Sequence, residues 1–259
     1  MLETNVMPRQ QSTGDESAPA KDDEHPCLTI GMLTRDDAHA AASLHKRNFP
    51  DDLFTLAGER VLVRLFQEFA NEVSLAAKLD GRLLGYSVGT LDKSRFMRRM
   101  VRHHMLILAA GIARAILQRA YEAPGYIRGL IRWVATTRPP TRNTTAVSMY
   151  EAISKEARGL GVSPLFFLEL HARWIVYAEQ LGARQIEGQV TDQRMLAALS
   201  RLGYRLDRTV NTRTGSKHYI SCRLPAEGAY RWAAQGTNGD PLKKLAGEAA
   251  SGPTGQMPR

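Results

Sequence analysis

Residues 145–170 of the chain are TAVSMYEAISKEARGLGVSPLFFLEL, and this stretch decides the fold. The sequence predicts a strand over about 145–153 and a helix over about 164–181, because β-branched and aromatic residues precede a longer periodic apolar run. The residues between them carry two glycines and no long apolar side chain except Leu160. A strand, a glycine-containing loop and a helix therefore follow one another here.

The loop has the features of an anion site. Gly159 and Gly161 leave backbone N–H groups accessible, Ser163 suits a helix N-cap, and Pro164 suits the first helical position. Exposed N–H groups at the positive end of a helix dipole favour a phosphate or pyrophosphate. A plain strand-to-helix turn can contain the same residues, so the surrounding elements must be considered too.

The elements around this loop are predicted in the order βααββ, a helical insertion, then βαβαββ. Asp80-Gly81 is typical of a type I′ hairpin turn, and Pro124-Gly125 and Pro139-Pro140 end the helices of the insertion. The predicted strands are 27–33, 74–78, 83–90, 145–153, 184–190, 204–210 and 219–224. The predicted helices are 34–45, 57–70, 94–119, 126–135, 164–181 and 192–202.

The loop and the element order resemble the GNAT N-acetyltransferase family, whose acyl-CoA loop has the pattern Q/R-x-x-G-x-G/A. That pattern falls here on Arg158, Gly161 and Ser163, and the helix ending in Arg201-Leu202-Gly203-Tyr204 is similar to the family's ending before its closing strands. The resemblance implies an α/β protein with a GNAT-like acyl-CoA N-acyltransferase fold: a mixed, mostly antiparallel central sheet flanked by helices, here with a basic helical insertion. The expected domain is 27–225, with the insertion at 92–141 and disordered tails at 1–26 and 226–259.

The resemblance also implies a cofactor site and an activity. We expect an acetyltransferase that binds acetyl-CoA as co-substrate, without a metal, and transfers the acetyl group directly to an amine or hydroxyl acceptor such as a sugar or surface-polymer precursor. Strand residues would pair with the pantetheine arm, and the loop would bind the pyrophosphate. The predicted cofactor-binding residues are Ala152, Ile153, Arg158, Gly159, Leu160, Gly161, Val162, Ser163 and Asp192.

Catalytic candidates follow from the needs of amine acylation, in which a base must keep the amine neutral. Glu151 is our candidate base, because an inward acid on this strand is costly unless it is used or paired. Tyr150, on the opposite face of the strand, is a weaker candidate, and His218 and Asp51-Asp52 lie where such folds bind the acceptor. The family's usual Tyr that protonates the thiolate is Leu199 here. The alternative is therefore a catalytically degenerate acyl-CoA-binding or membrane-surface module.

The composition is that of a globular protein, with 259 residues, 43% hydrophobic and 24% charged. Its two cysteines, Cys27 and Cys222, lie too far apart in sequence for a metal-ligand motif, and the first 26 residues lack a signal-peptide apolar region. We therefore expect a cytoplasmic protein, with a peripheral position at the inner face of the membrane left open. Its oligomeric state does not follow from the sequence.

The charge of +9 is concentrated in the insertion, where residues 92–141 carry ten bases and two acids. Arg95, Arg98, Arg99 and Arg102 recur at helical spacing beside an apolar stripe, which predicts an amphipathic helix over 94–119. The helix would lie against a membrane surface, face an anionic soluble partner, or simply pack on the core. Nucleic acid is an unlikely partner because no interleaved aromatics or helix-turn-helix pattern accompanies the bases. His103 and His104, adjacent on this helix, are expected to point about 100° apart.

We expect the protein to bind acetyl-CoA with micromolar affinity in a calorimetric titration, and we expect the Gly161→Glu variant to lose this binding. The new side chain would fill the predicted phosphate site and repel the phosphates through its charge. If the unaltered protein does not bind at millimolar ligand, the loop is only a turn.

Overall fold

A computed structural model describes residues 28–118, 145–155, 157, 166–212 and 215–234. The predicted helix 126–135 and the loop residues 158–163 lie outside these ranges. The strands are β1 (Leu28–Met32), β2 (Val73–Leu79), β3 (Arg82–Thr90), β4 (Thr145–Ile153), β5 (Gln185–Val190), β6 (Arg205–Thr212) and β7 (Gly215–Arg223). The helices are α1 (Ala38–Asn48), α2 (Leu53–Ala57), α3 (Glu59–Phe69), α4 (Lys93–Gln118), α5 (Phe166–Gln180), α6 (Gln193–Ser200) and α7 (Glu227–Ala234).

The seven described strands form one sheet in the order β1-β2-β3-β4-β5-β7-β6. The β4–β5 pair is parallel and the other pairs are antiparallel. One buried cluster joins the sheet to α1, α3 and α4, and a second joins it to α5, α6 and α7. The predicted α/β class, with a mixed and mostly antiparallel sheet between helices, is confirmed.

The turn between β2 and β3 also forms as predicted. Asp80 and Gly81 both adopt positive φ angles, 48° and 78°, which a type I′ turn requires. The hairpin therefore reflects a local preference of two residues. This is why its position follows from sequence alone.

The predicted helix 57–70 forms as α3, and a short helix that was not predicted, α2, precedes it. Gly58 separates them with a φ of 108°, a conformation that interrupts a right-handed helix. Asp52 begins α2, because its side chain accepts a hydrogen bond from Phe54 N at 3.0 Å. The break turns the chain so that Asp52 lies near the sheet.

The prediction of a disordered tail from residue 226 is wrong for its first part, because Glu227–Ala234 form α7. Ala229 and Ala233 of α7 are buried, and the Tyr230 hydroxyl donates a hydrogen bond to Glu179 on α5 at 2.9 Å. The buried side chains of this helix are alanines, and Trp232 is only partly buried against the core, so the apolar periodicity of the helix is weak in the sequence. Packing on α5 stabilises this helix, and that contact cannot be recognised in the local sequence.

A β-bulge bends β4 beside the candidate site. Gly89 pairs with Ser148 and Val88 pairs with Tyr150, so Met149 is an extra residue on β4. A Cβ on Gly89 would lie closer than 3.0 Å to Val147 O and to the ring of Trp174. Glycine at position 89 thus allows β3, the bulge and α5 to approach one another.

We expect Gly89→Ala to lower the free energy of unfolding by about 1–3 kcal/mol, because the added methyl group overpacks the contact with Trp174 and Val147. Urea denaturation measures the change. Gly31→Ala is the matched control, since nothing lies within 4 Å of a Cβ at that position in β1. Equal stability of the two variants would contradict this account of the bulge.

Candidate active site

The candidate site is a gap between β4 and β5. The two strands pair only over Thr145–Val147 and Gln185–Glu187, although β4 continues to Ile153 and β5 to Val190. Beyond these pairs β4 remains paired with β3 and β5 with β7, so the strands diverge. The inner edges of both strands then have backbone groups that no neighbouring strand pairs with, which a bound chain can use.

The backbone of β4 presents donors to this gap. Ser154 N donates to Leu84 O on the β3 side at 2.7 Å. Because successive N–H groups along a strand point to opposite sides, the N–H groups of Ile153 and Glu151 point toward the gap. The strand thus offers main-chain donors where an extended amide ligand would lie.

Two cavities open onto the gap. The first, which we call the channel, has a volume of about 390 Å³ and lies between the gap, α5 and α6. The second, which we call the cleft, has a volume of about 600 Å³ and includes residues of α4, β6 and β7. Their walls share Ser148, Met149, Tyr150, Gly188, Gln189 and Ile220. Both cavities therefore border the same part of the gap.

The channel contains a buried line of three polar side chains. Glu151 Oε2 lies 2.8 Å from His171 Nδ1, and His171 Nε2 lies 2.9 Å from the Tyr204 hydroxyl oxygen. The first two atoms are close but not aligned as a hydrogen bond, since His171 Nδ1 has no hydrogen-bond partner within the described chain. The other carboxylate oxygen, Glu151 Oε1, has no partner there either. We call these residues the Glu151–His171–Tyr204 triad.

The surroundings of the triad are apolar and shift its proton equilibria. His171 stacks between Phe167 and Trp174, with ring centroids at 6.3 and 5.7 Å. Burial raises the pKa of Glu151 above its ordinary value, and His171 opposes part of the rise. Burial also raises the pKa of Tyr204 well above 10, with smaller contributions from Cys222 and Glu151. Tyr204 is thus a neutral proton donor at neutral pH.

The cleft is polar and carries both signs of charge. Its wall includes the acids Asp52, Glu187 and Asp207 and the bases Lys93 and Arg208. Burial lowers the pKa of Lys93, and Glu187 opposes part of this shift. The cleft therefore offers both carboxylates and cations to a polar ligand.

Asp52 links the cleft to a cluster of buried rings. Its Oδ1 accepts a hydrogen bond from the Tyr150 hydroxyl at 3.4 Å, and its Oδ2 lies 3.4 Å from His45 Nε2. His45 Nδ1 lies 2.8 Å from the Tyr86 hydroxyl. Burial, followed by the charge of Asp52, raises the pKa of Tyr150 well above its ordinary value. Tyr150 is therefore a hydrogen-bond donor that orients Asp52, and not a ready base.

The structure places some predicted site residues at the gap. Glu151 and Tyr150 line the channel, but Glu151 does not line the cleft. Asp192 lines the channel as well and caps α6, accepting a hydrogen bond from Arg194 N at 2.7 Å. Leu199 is buried in the channel wall.

Other predicted residues lie elsewhere. The side chains of Ala152 and Ile153 line neither cavity, and Ala152 is buried in the core on the α1–α4 side. His218 is on β7, 3.0 Å from Thr209 Oγ1, and lines neither cavity. The predicted phosphate-binding residues, Arg158, Gly159, Leu160, Gly161, Val162 and Ser163, lie outside the described residues and remain predictions.

The sequence analysis missed three residues of the site, His171, Tyr204 and Lys93. His171 could have been found, because it interrupts the apolar face of α5 between Phe167 and Trp174, at positions i, i+4 and i+7. Tyr204 replaces an apolar aromatic residue in the family-like ending. Nothing in the sequence marks Lys93, since its cleft position depends on where α4 begins.

The adjacent histidines of α4 differ from expectation. His104 has non-helical angles, φ −131° and ψ 21°, so α4 is kinked there. As a result His103 Nδ1 and His104 Nε2 both reach Glu68 Oε1, at 3.1 and 3.2 Å. Their ligand atoms lie within 4.8 Å of one another, the spacing of a metal site. Arg99, however, binds the other oxygen of Glu68, which makes the group an ion-pair network.

No family model matches the sequence, and neither does any curated protein. Among solved structures, a polyamine N-acetyltransferase of Drosophila melanogaster is 13% identical, with a TM-score of 0.49 over 76% of this chain and 100% of its own. An acetyltransferase of the GNAT family from Streptococcus pneumoniae is 14% identical, with a TM-score of 0.46 over 76% and 99%. The yncA protein of Salmonella typhimurium, solved with its cofactor acetyl-CoA, is 12% identical, with a TM-score of 0.48 over 76% and 94%.

We expect Glu151→Gln to change how stability depends on pH. Because the folded state raises the pKa of Glu151, the unaltered protein loses stability as the pH rises from the ordinary value of 4.5 toward the raised pKa. The Gln variant carries no charge to bury and escapes this loss. Chemical denaturation at a series of pH values measures the difference, with exposed Glu227→Gln as the control. Parallel stability curves for all three proteins would contradict the assignment.

Proposed function

We propose that this protein is an acetyl-CoA-dependent N-acetyltransferase that transfers the acetyl group directly to an amine. The observation that carries the proposal is the gap between β4 and β5, onto which an apolar channel and a polar cleft both open. Direct transfer needs two ligands that meet at one point without a covalent enzyme intermediate. Two cavities with a shared wall provide that arrangement.

The channel would hold the acyl-carrying arm. The inward N–H groups of Glu151 and Ile153 would donate to amide oxygens of an extended pantetheine chain, and the apolar wall formed by Leu199 and Met195 would exclude water. The predicted loop at 158–163 would bind the pyrophosphate. In this arrangement the thioester lies at the gap, beside the triad.

The cleft would hold the acceptor amine. Asp52 is its best-placed base, because it lines the cleft and is oriented by Tyr150 and His45. Glu151 lies in the channel and not in the cleft, so we assign it to the thiolate side of the gap and not to deprotonation of the amine. The acids of the cleft also attract a cationic amine before it loses its proton.

At position 199 this chain has Leu where the family usually has the Tyr that protonates the thiolate. Tyr204 would supply that proton instead. The amine nitrogen bonds to the acyl carbon, the carbon–sulfur bond breaks, and the thiolate takes the hydroxyl proton of Tyr204. His171, with its proton on Nε2, would restore that proton across the 2.9 Å contact, and solvent would reprotonate the triad after the thiol leaves. An acceptor that enters as an ammonium ion loses two protons over the whole reaction. One of them is balanced by the proton that the thiol gains, and the other is released to solvent.

The acceptor is an amine carried by a sugar or a surface-polymer precursor in this proposal, since the cleft offers both carboxylates and cations for polar groups. The second candidate function is a degenerate module that binds acyl-CoA without turnover, which the missing Tyr at Leu199 favours. Release of thiol from acetyl-CoA, followed with a thiol reagent and a panel of amino sugars and diamines, distinguishes the two. Binding of acetyl-CoA with no amine-dependent thiol release would select the module.

We expect Tyr204→Phe to lower kcat by about 10²–10⁴-fold, the usual contribution of a general acid, while KM for the amine and Kd for acetyl-CoA stay within about twofold. The matched control is Tyr230→Phe, which removes a hydroxyl that hydrogen-bonds Glu179 outside both cavities. Steady-state kinetics give kcat and KM, and calorimetry gives Kd. An unchanged kcat would show that water protonates the thiolate.

A further inference from the structure

An apolar face of α4 remains exposed on the folded domain. Met105, Leu106 and Leu117 are 60%, 79% and 80% exposed, and Val101 is 46% exposed. The alanines at 109, 110 and 113 are exposed between Leu106 and Leu117, together with one charged residue, Arg114. A contiguous apolar face of this kind is typical of a surface that contacts a protein or a membrane.

The same helix carries exposed cations and no acid. Arg95, Arg98 and Arg102 are exposed on its first half and Arg114 on its second. No Asp or Glu occurs from Lys93 to Gln118. Within the described residues, Arg99 is the one arginine of the first half that pairs with acids, namely Glu68 on α3 and Glu72 just after it. The exposed face therefore combines apolar side chains with uncompensated positive charge.

The opposite face of α4 packs on the domain along both halves. Phe96 and Met100 before the kink, and Leu108 and Ala115 after it, are buried. A Cβ on Gly111 would lie closer than 3.0 Å to atoms of α2 and α3, so the helix backbone touches them there. Lys93–Leu117 has the length and the hydropathy, 1.4, of a membrane span. Because α4 packs on the folded domain along both halves, it can contact a membrane only with its exposed face. It would then lie on the membrane surface and would not cross the bilayer.

We propose that α4 docks this protein on an anionic lipid bilayer, with its exposed apolar side chains in the headgroup region and its arginines on lipid phosphates. This interaction goes beyond acetyl transfer and does not depend on it. A second copy of the chain fits the face less well, because two copies of α4 bring together like charges without any acid of their own. Lys93, the first residue of α4, lines the cleft, so docking brings the cleft close to the bilayer.

Vesicle flotation of the full chain, without acetyl-CoA, tests the proposal. The vesicles are phosphatidylcholine alone, or phosphatidylcholine with about one third phosphatidylglycerol. We expect binding to the anionic vesicles only, and binding about a hundredfold weaker for Arg95→Gln, Arg98→Gln and Arg102→Gln combined, since each arginine contributes about fivefold. Met105→Ser with Leu106→Ser should also weaken binding, by removing the inserted apolar groups.

The matched control combines Arg184→Gln, Arg201→Gln and Arg223→Gln, which removes three exposed charges from the opposite end of the sheet. It should bind within about fivefold of the unaltered protein, and circular dichroism checks that each variant is folded. High salt on the unaltered protein should release it, which tests the charge contribution without any variant. Absence of binding to anionic vesicles, or equal losses in the control, overturns the proposal. A dimer in sedimentation that Met105→Ser with Leu106→Ser abolishes, without vesicle binding, would assign the face to a second copy.

Discussion

The parallel pairing of β4 with β5 ends after three residue pairs, and the rest of the candidate site depends on that limit. Ala146 and Ile186 are fully buried in the paired part and hold the strands together there. The bulge at Met149 then turns β4 away, while β7 holds β5 in place. With continued pairing the backbone donors of β4 would be used within the sheet, and neither cavity would reach the other. Beyond the third pair the sheet has no hydrogen bonds between β4 and β5, and a bound ligand can form hydrogen bonds with these backbone groups instead.

The two sides of the gap have different electrostatic characters. On the channel side apolar rings surround Glu151, His171 and Tyr204, and burial raises the pKa values of Glu151 and Tyr204. On the cleft side Asp52 is partly exposed, helps to cap α2 and accepts hydrogen bonds. A proton donor and a proton acceptor on opposite sides of one gap suit a reaction in which nitrogen loses a proton and sulfur gains one.

The sequence predicts elements that have local causes. The β2–β3 turn depends on Asp80 and Gly81, and β4 was predicted with the bounds that it has, 145–153. The triad could not be predicted, because Glu151, His171 and Tyr204 come from a strand, a helix and a turn that only the tertiary fold brings together. The same holds for His103 and His104, whose convergence on Glu68 depends on a kink that no Pro or Gly marks. Glu151 was predicted as a site residue from the cost of burying an acid, and the structure adds the partner that the argument required.

The short α7 helix, the last element of the described residues, covers part of the surface of α5. It packs on α5, the helix that carries His171, and Gly228 comes so close to the end of α6 that a Cβ there would lie within 3.0 Å of Arg201 O. A chain shortened to residue 225 would leave the buried surface of α5 beside Ala178 in water and remove the Tyr230 hydrogen bond to Glu179. Because α5 and α6 both form walls of the channel, the loss of these contacts would also change the geometry of the triad. A shortened form that keeps the walls of its channel covered must therefore retain α7.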